Sequence, residues 1–349
     1  MAFSNILIVK LSAIGDVVHV LPVPHALKQC LPQARVTWVV EKPAYDLLAN
    51  NPDIDEIIVF DKARYKSLAG LAANAPDFIS SLRRRHFDLA LDLQGLFKSA
   101  IIAFLSGAKT RLVYENTREG SQLLSRRIVG EFSRGHVVDR YLDVVRALGC
   151  QAENPVFQIV ITEDEAKRAR AVMEHAGLKP HIPYIVLAIG ANWPNKIWPA
   201  ERFALLADRI YDAGMVPVIA GGPGDNYLVE RLLPAARIPP VNLVGKTTLK
   251  QLAYLIRHAG AFAGGDTGPM HLSAALGTPT VALMGPTDAV RNGPYGNGHK
   301  AVIVRRTCAG CWQRQCPQHE DCLAEISVDE VLAAIKQIMI RKFYPSNAD

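Results

Sequence analysis

The chain is 349 residues long, 49% hydrophobic and 21% charged, with a formal net charge of +6. That length suits two domains rather than one, and the apolar share lets each bury a core, which excludes a disordered chain. The positive excess attracts anions, but it is dispersed, aromatic residues are only 7%, and no recognition motif occurs, so nucleic acid is not expected as a partner.

The opening segment MAFSNILIVK lacks a cationic start, a long apolar stretch and a cleavage site, so no secretory signal is expected. No apolar run approaches the roughly 20 residues that span a bilayer. A cytoplasmic protein is expected, and its six cysteines do not suggest a secreted disulfide framework.

Short β-branched runs alternate with helical patterns along the chain. Residues 6–9 read as a buried strand, followed by a helical stretch over 17–30. Strands recur at 36–40, 56–60 and 89–93, with helical segments between, and 137–148 reads as a helix closed by Gly149. A second series opens after Asn154-Pro155. Its first helix, 162–175, has a Thr162 cap with Glu165 at the capping-box position, and strands follow at 185–189, 215–220, 241–244, 261–263 and 280–284. Apolar runs without alternation indicate parallel sheets covered on both faces. The expected class is therefore α/β, with two Rossmann-like doubly wound parallel-sheet domains. These would span 1–155 and 156–349, with the last helix free to pack back on the first. Ligands bind such sheets outside the carboxyl ends of the strands, so the loops after strands carry the chemistry.

The first such loop lies in KLSAIGDVVHVLP, residues 10–22. A tight turn at Gly15 is expected to deliver Asp16 to a helix start, either as its cap or as a general base facing a ligand. No G-x-G-x-x-G occurs there, which weakens a dinucleotide-oxidoreductase reading. In GGDTGPMHLSAALGTPTVALMGPT, residues 264–287, a strand runs into Asp266-Thr267-Gly268 and a helix beginning near Pro269. Its amides and dipole suit a pyrophosphate, with His271 as a further donor; the alternative is an ordinary capped helix.

In NWPNKIWPAERF, residues 192–203, Lys196 sits between two Trp-Pro pairs, either as a phosphate clamp or as a solvated lysine. Asp225, in GGPGDN, would hold ribose hydroxyls or cap the next helix. In the first half, LDLQGLFKSA offers Lys98, and Lys62, Arg64, Lys66, Arg118 and Arg140 are further basic candidates for an anionic acceptor.

These segments, together with Asn116-Thr117-Arg118-Glu119 and in this order, resemble the ADP-heptose:lipopolysaccharide heptosyltransferases, glycosyltransferase family nine, which have the GT-B fold with two domains facing across a cleft. The resemblance implies an inverting glycosyltransferase of Gram-negative bacteria. It would move heptose from ADP-heptose to the lipopolysaccharide inner core, a Kdo or heptose acceptor, peripherally on the anionic inner face of the inner membrane. It implies Asp16 as the base and Lys196 on the donor phosphates. Asp266, Thr267, Gly268 and His271 would surround the pyrophosphate and heptose, with Asp225 at the ribose. Arg64, Lys98, Arg118 and Arg140 would face the acceptor. A helix dipole plus lysine can replace a divalent metal at the leaving group, so no metal and no cofactor is expected. Two other readings stay open: a GT-B transferase using another nucleotide sugar, such as a UDP-linked one, and a non-catalytic sugar-nucleotide- or glycan-binding protein on the same scaffold.

Cys308, Cys311, Cys316 and Cys322, with His319 among them, could bind zinc or an iron–sulfur cluster, or could remain reduced thiols. Similar segments occur in some members of the resembled family outside the transfer machinery, and a structural or incidental role is expected.

Overall fold

Residues 3–318 and 321–343 are described in a computed structural model of the protein, in which the chain divides after Val160 into two units. The first holds six parallel strands: β1 (Asn5–Val9), β2 (Arg35–Glu41), β3 (Glu56–Phe60), β4 (Leu89–Asp92), β5 (Thr110–Tyr114) and β6 (Arg126–Ile128). Their order in the sheet is β3-β2-β1-β4-β5-β6, so the winding reverses between β1 and β4. Ile6, Leu7, Ile8 and Val9 are fully buried, as expected of a central strand covered on both faces.

The helical stretch after β1 is two helices, α1 (Ile14–Val20) and α2 (Pro22–Cys30), not one. Pro22 lacks the N–H that would continue α1 and instead takes the first position of α2, where that N–H is not needed. Gly15 lies inside the first turn of α1 rather than in a tight turn before it. The helices α3 (Tyr45–Leu48), α4 (Leu68–Arg83), α5 (Phe97–Leu105) and α6 (Val137–Arg146) complete the unit. Cys30 and Cys150 form a disulfide that ties the end of α2 to the segment after α6, a pairing the sequence reading did not anticipate.

The second unit opens with α7 (Glu163–His175). Its Thr162 hydroxyl accepts from the Glu165 N–H while the Glu165 carboxylate accepts from the Thr162 N–H, the expected capping box. Its strands are β7 (Tyr184–Ala188), β8 (Val216–Ala220), β9 (Val241–Asn242), β10 (Ala261–Gly265), β11 (Thr280–Met284) and β12 (Lys300–Ile303). The sheet order β12-β11-β10-β7-β8-β9 repeats the first unit's topology, with the reversal between β7 and β10. The remaining helices are α8 (Ala200–Asp212), α9 (Asn226–Ala235), α10 (Leu249–Arg257), α11 (Gly268–Ala275), α12 (Ala289–Asn292) and α13 (Val328–Phe343). α13 packs on α8, β10, β11 and β12, and buries Val331, Ala334, Ile335 and Ile338 in the second unit's core. Among the described residues, no helix is long and apolar enough to cross a membrane.

Candidate active site

At the reversal point of the second sheet, β10 ends in Gly264-Gly265 because a side chain would not fit. A Cβ on Gly265 would lie 2.3 Å from the Lys196 carbonyl oxygen, and one on Gly264 would lie 2.9 Å from that of Ala188. The two glycines thus let the loop after β7 close against the end of β10.

Asp266 follows. Lys196 Nζ donates to its Oδ2 at 2.6 Å, the Thr287 hydroxyl donates to the same oxygen at 2.6 Å, and His271 Nε2 lies 2.9 Å from its Oδ1. Burial pushes the Asp266 carboxyl up, but the His271 and Lys196 contacts outweigh it and hold the group well below the usual carboxylate range. The side chain is only 4% exposed. Asp266 is therefore a buried anion that fixes Lys196 and Thr287 from two loops and His271 from the helix that follows it.

Lys196 ends a short 3-10 turn, Pro194–Lys196, and its ammonium also lies 4.5 Å from the Trp193 ring centroid. Trp198 anchors the other side of the loop, buried and donating to the Ile326 carbonyl at 3.0 Å. Lys196 is thus neither a freely solvated lysine nor a mobile clamp: its position is set by Asp266. One of its three N–H groups is taken by that carboxylate, which leaves two for a ligand.

α11 starts at Gly268, with Pro269 in its first turn and Thr267 as the N-cap residue. The Thr267 hydroxyl donates to the Gly265 carbonyl rather than capping the helix, and the Met270 and His271 amides bond the Thr267 carbonyl. The Gly268 amide, first in the helix, has no acceptor within it, as at every helix start. That end carries partial positive charge suited to an anion. His271 was expected to reach toward the ligand; its ring is buried and turned back on Asp266.

Asp225 lies after β8, half-buried, and its Oδ2 accepts from the Gly222 N–H at 2.7 Å. It does not cap α9 through its side chain. Its carboxyl fills the space beside Gly190, where any Cβ would overlap it.

In the first unit, the loops after β1 and β4 meet at the corresponding reversal point. Gln94 Oε1 accepts from the Leu11 and Ser12 amides, at 3.1 Å each, and so pins the turn that leads into α1. Asp16 is the third residue of α1 rather than its cap, and its Oδ2 accepts from the Ala13 N–H at 3.2 Å. Its Oδ1 carries no hydrogen bond among the described residues. Beneath the turn, Lys10 is fully buried, donating to the Leu93 carbonyl at 3.0 Å and the Tyr141 hydroxyl at 2.8 Å. Asp92 is buried beside it and accepts from the Gln94 and Gly95 amides. Burial pushes the Asp92 carboxyl up to about 6, against the pull of those amides and Lys10.

The four basic candidates all follow strands of the first sheet or sit beside residues that do. Lys98 pairs with Glu41 at 3.0 Å and Arg140 with Glu115 at 2.7 Å. Arg118 is exposed, with its backbone N–H bonded to the Gly95 carbonyl. Arg64 pairs with Asp61 at 3.4 Å on the rim of a cavity of about 760 Å³ that Glu41, Lys62, Tyr65, Asn74 and Phe78 also line.

The sequence reading singled out none of Lys10, Asp92, Gln94, Trp193 and Thr287. The available signal was their position: each lies at or just after a strand end, or in a loop already singled out.

Cys308 and Cys311 are exposed, Cys316 is half-buried and Cys322 is buried, all as free thiols. Burial, followed by the nearby Cys308 and Cys311, raises the Cys322 thiol. Among the described residues, no group of three or more His, Cys, Asp or Glu side chains could hold a metal ion; His319 lies outside the described residues. The segment instead braces the site. The Gly310 and Trp312 amides donate to the Gly285 and Pro286 carbonyls, beside Thr287, and Asn195 donates to the Gln313 carbonyl, beside Lys196.

The sequence pattern of glycosyltransferase family 9 (heptosyltransferase) matches residues 77–321. The chain is 27% identical to the lipopolysaccharide core heptosyltransferase OpsX of Haemophilus influenzae, covering 96% of each chain. It is 29% identical to lipopolysaccharide heptosyltransferase 1 of Pseudomonas aeruginosa, covering 91% of this chain and 89% of that one. A family 9 glycosyl transferase structure from Veillonella parvula superimposes with a TM-score of 0.86 at 25% identity, covering 97% of this chain and 98% of that one. The E. coli ADP-heptose lps heptosyltransferase II shares the fold, with a TM-score of 0.77 at 24% identity over 97% and 99% of the two chains. Two parallel sheets of Rossmann order make the fold GT-B. The chain is a glycosyltransferase and belongs to glycosyltransferase family 9, the heptosyltransferases.

Proposed function

We propose that the protein transfers heptose from ADP-heptose to the lipopolysaccharide inner core, onto a Kdo or heptose residue, with inversion at the anomeric carbon. The observation that carries this is Lys196, held by Asp266 beside the opening turn of α11. That arrangement is suited to a diphosphate. The names of the relatives, which include lipopolysaccharide core heptosyltransferases, supply the sugar and the acceptor class.

In this reading Asp16 takes the proton of the acceptor hydroxyl as that oxygen attacks the anomeric carbon, and its oxygen not bonded to Ala13 suits the task. The bond to the diphosphate breaks, and ADP leaves with the electron pair. The Lys196 ammonium and the α11 amides meet the charge that develops there, so their contacts strengthen in the transition state. Asp266 keeps Lys196 stationary. Thr267 and Gly268 present the helix start, and His271 supports Asp266. Asp225 contacts the ribose, and Arg64, Lys98, Arg118 and Arg140 face the anionic acceptor. The leaving group is neutralised by lysine and helix dipole, and transfer runs without a divalent metal. The protein works peripherally on the anionic inner face of the inner membrane.

Incubation with ADP-heptose and a panel of truncated core acceptors, followed by mass spectrometry, tests the reading. A gain of one heptose on one acceptor, undiminished by chelator, is expected. Absence of any gain across the panel would overturn it.

A further inference from the structure

α4 is attached to the first unit by one side only. Of its 16 residues, Leu82 alone is buried. Phe78 packs on Phe60 and Tyr65, with ring centroids 5.5 and 6.0 Å apart, and Asn74, Asp77 and Ser81 on the same side line the cavity that Arg64 borders. Leu68, Leu71, Ala72, Ala75 and Ile79 recur at i, i+3, i+4, i+7 and i+11, which places them on one stripe at helical periodicity. That stripe meets water most at its start, where Leu68 is 87% exposed and Leu71 46%, while Ala75 and Ile79 are half-buried. It borders a shallow groove of about 890 Å³ closed at one end by Arg83, Arg84 and His86.

Cations flank the stripe at both ends. Lys62, Arg64 and Lys66 precede the helix, and Arg83, Arg84 and Arg85 close it, while residues 61–86 contain only two carboxylates, Asp61 and Asp77. Asp61 is occupied by Arg64, and Arg85 is paired with Glu56. Asp77 lies on the cavity side, away from the stripe. Among the described residues, Arg83 and Arg84 bond neutral groups only, the Leu105 carbonyl and the Ser80 hydroxyl.

We propose that the α4 stripe is the surface on which the protein docks on an anionic lipid bilayer. A helix lying in a membrane interface sinks its apolar face into the acyl boundary, while flanking Lys and Arg side chains extend to the head groups. Basic flanks without matching carboxylates complement an anionic surface and bind it more weakly as salt rises. The choice of lipid over protein rests on that charge pattern and, through the function proposed above, on an acceptor glycan carried by a lipid. The cavity beside Arg64 lies across the same helix, about 10 Å through, so docking would hold it close to the membrane surface.

Sedimentation of the full chain with vesicles tests this. Binding to equal parts phosphatidylglycerol and phosphatidylcholine is expected to exceed binding to phosphatidylcholine alone by about tenfold or more, and to fall with salt. The double variant Leu68→Ser, Leu71→Ser is expected to lose vesicle binding while keeping its melting temperature and its transfer to a delipidated, water-soluble acceptor. Unchanged vesicle binding by the variant, or equal binding of the parent to neutral vesicles, would overturn the proposal. So would a parent dimer that the two substitutions dissociate, because a second copy would then cover the stripe. If the parent binds anionic vesicles through the stripe but transfers no heptose to any soluble acceptor, the docking stands and only the heptose transfer proposed above falls.

Discussion

Lys196 and Asp266 meet at 2.6 Å although 70 residues separate them, because each follows one of the two strands between which the second sheet reverses. The pair converts a flexible lysine into a fixed one. Its cost in buried charge is offset by the further donors that Thr287 and His271 direct at the same carboxylate.

Removing the carboxylate charge should therefore act on both stability and donor binding. Asp266→Ala strands Lys196 and is expected to cost about 3–5 kcal/mol of folding stability, the range for breaking a buried pair. Asp266→Asn keeps the shape, should cost less, and should weaken ADP binding by releasing Lys196. Denaturant unfolding and calorimetric titration with ADP measure the two effects separately.

Gly265 tests the close approach of the two loops. In Gly265→Ala the new carbon would meet a backbone oxygen of Lys196, which cannot rotate aside. A loss of about 1–3 kcal/mol, as for overpacked sites, is expected together with weaker ADP binding. Gly298→Ala is the control: nothing lies within 4 Å of its added carbon, and its stability should stay within about 0.5 kcal/mol of the parent.

Asp16→Asn separates chemistry from binding. Turnover is expected to fall by roughly 10²–10⁴-fold, the usual worth of a positioned base. Stabilisation by ADP should be unchanged, since Asp16 belongs to the first unit and the diphosphate groups to the second. Near-normal turnover would remove Asp16 from its role.

Asp92 sets a pH dependence that Asp266 opposes. Burial raises the folded-state pKa of Asp92 from 3.8 to about 6. Its favourable contribution is therefore complete below about pH 4 and is lost as pH rises to about 6, on the order of 3 kcal/mol. Asp266 is held below its ordinary value, so its contribution is present above about pH 4 and lost as pH falls further. Asp92→Asn should flatten the stability profile between about pH 4 and 6 and leave the acid limb in place. Urea unfolding across that range checks it.

How much of this was legible in the sequence depended on whether a feature was local. The runs that became β1, β3 and β11 were continuous and apolar enough to read directly, and Thr162 with Glu165 fixed a helix start. β5, β6 and β12 were missed: Arg126–Ile128 and Lys300–Ile303 are edge strands of only three and four residues, and Thr110–Tyr114 opens on two polar residues. The break at Pro22 was legible in principle, since proline ends a helix at the residue before it. Asp266 was recognised as important, but its part as a buried hub was hidden, because its partners Lys196 and Thr287 come from other loops. The bracing of Lys196 and Thr287 by the cysteine-rich segment and the Cys30–Cys150 pair were hidden for the same reason.

The most direct measurement is a crystal structure with ADP bound. Its β-phosphate should lie within hydrogen-bonding distance of the Gly268 amide and Lys196 Nζ, with Asp266 still holding that lysine. A diphosphate found away from the start of α11, or Lys196 turned from it with binding intact, would contradict the assignment.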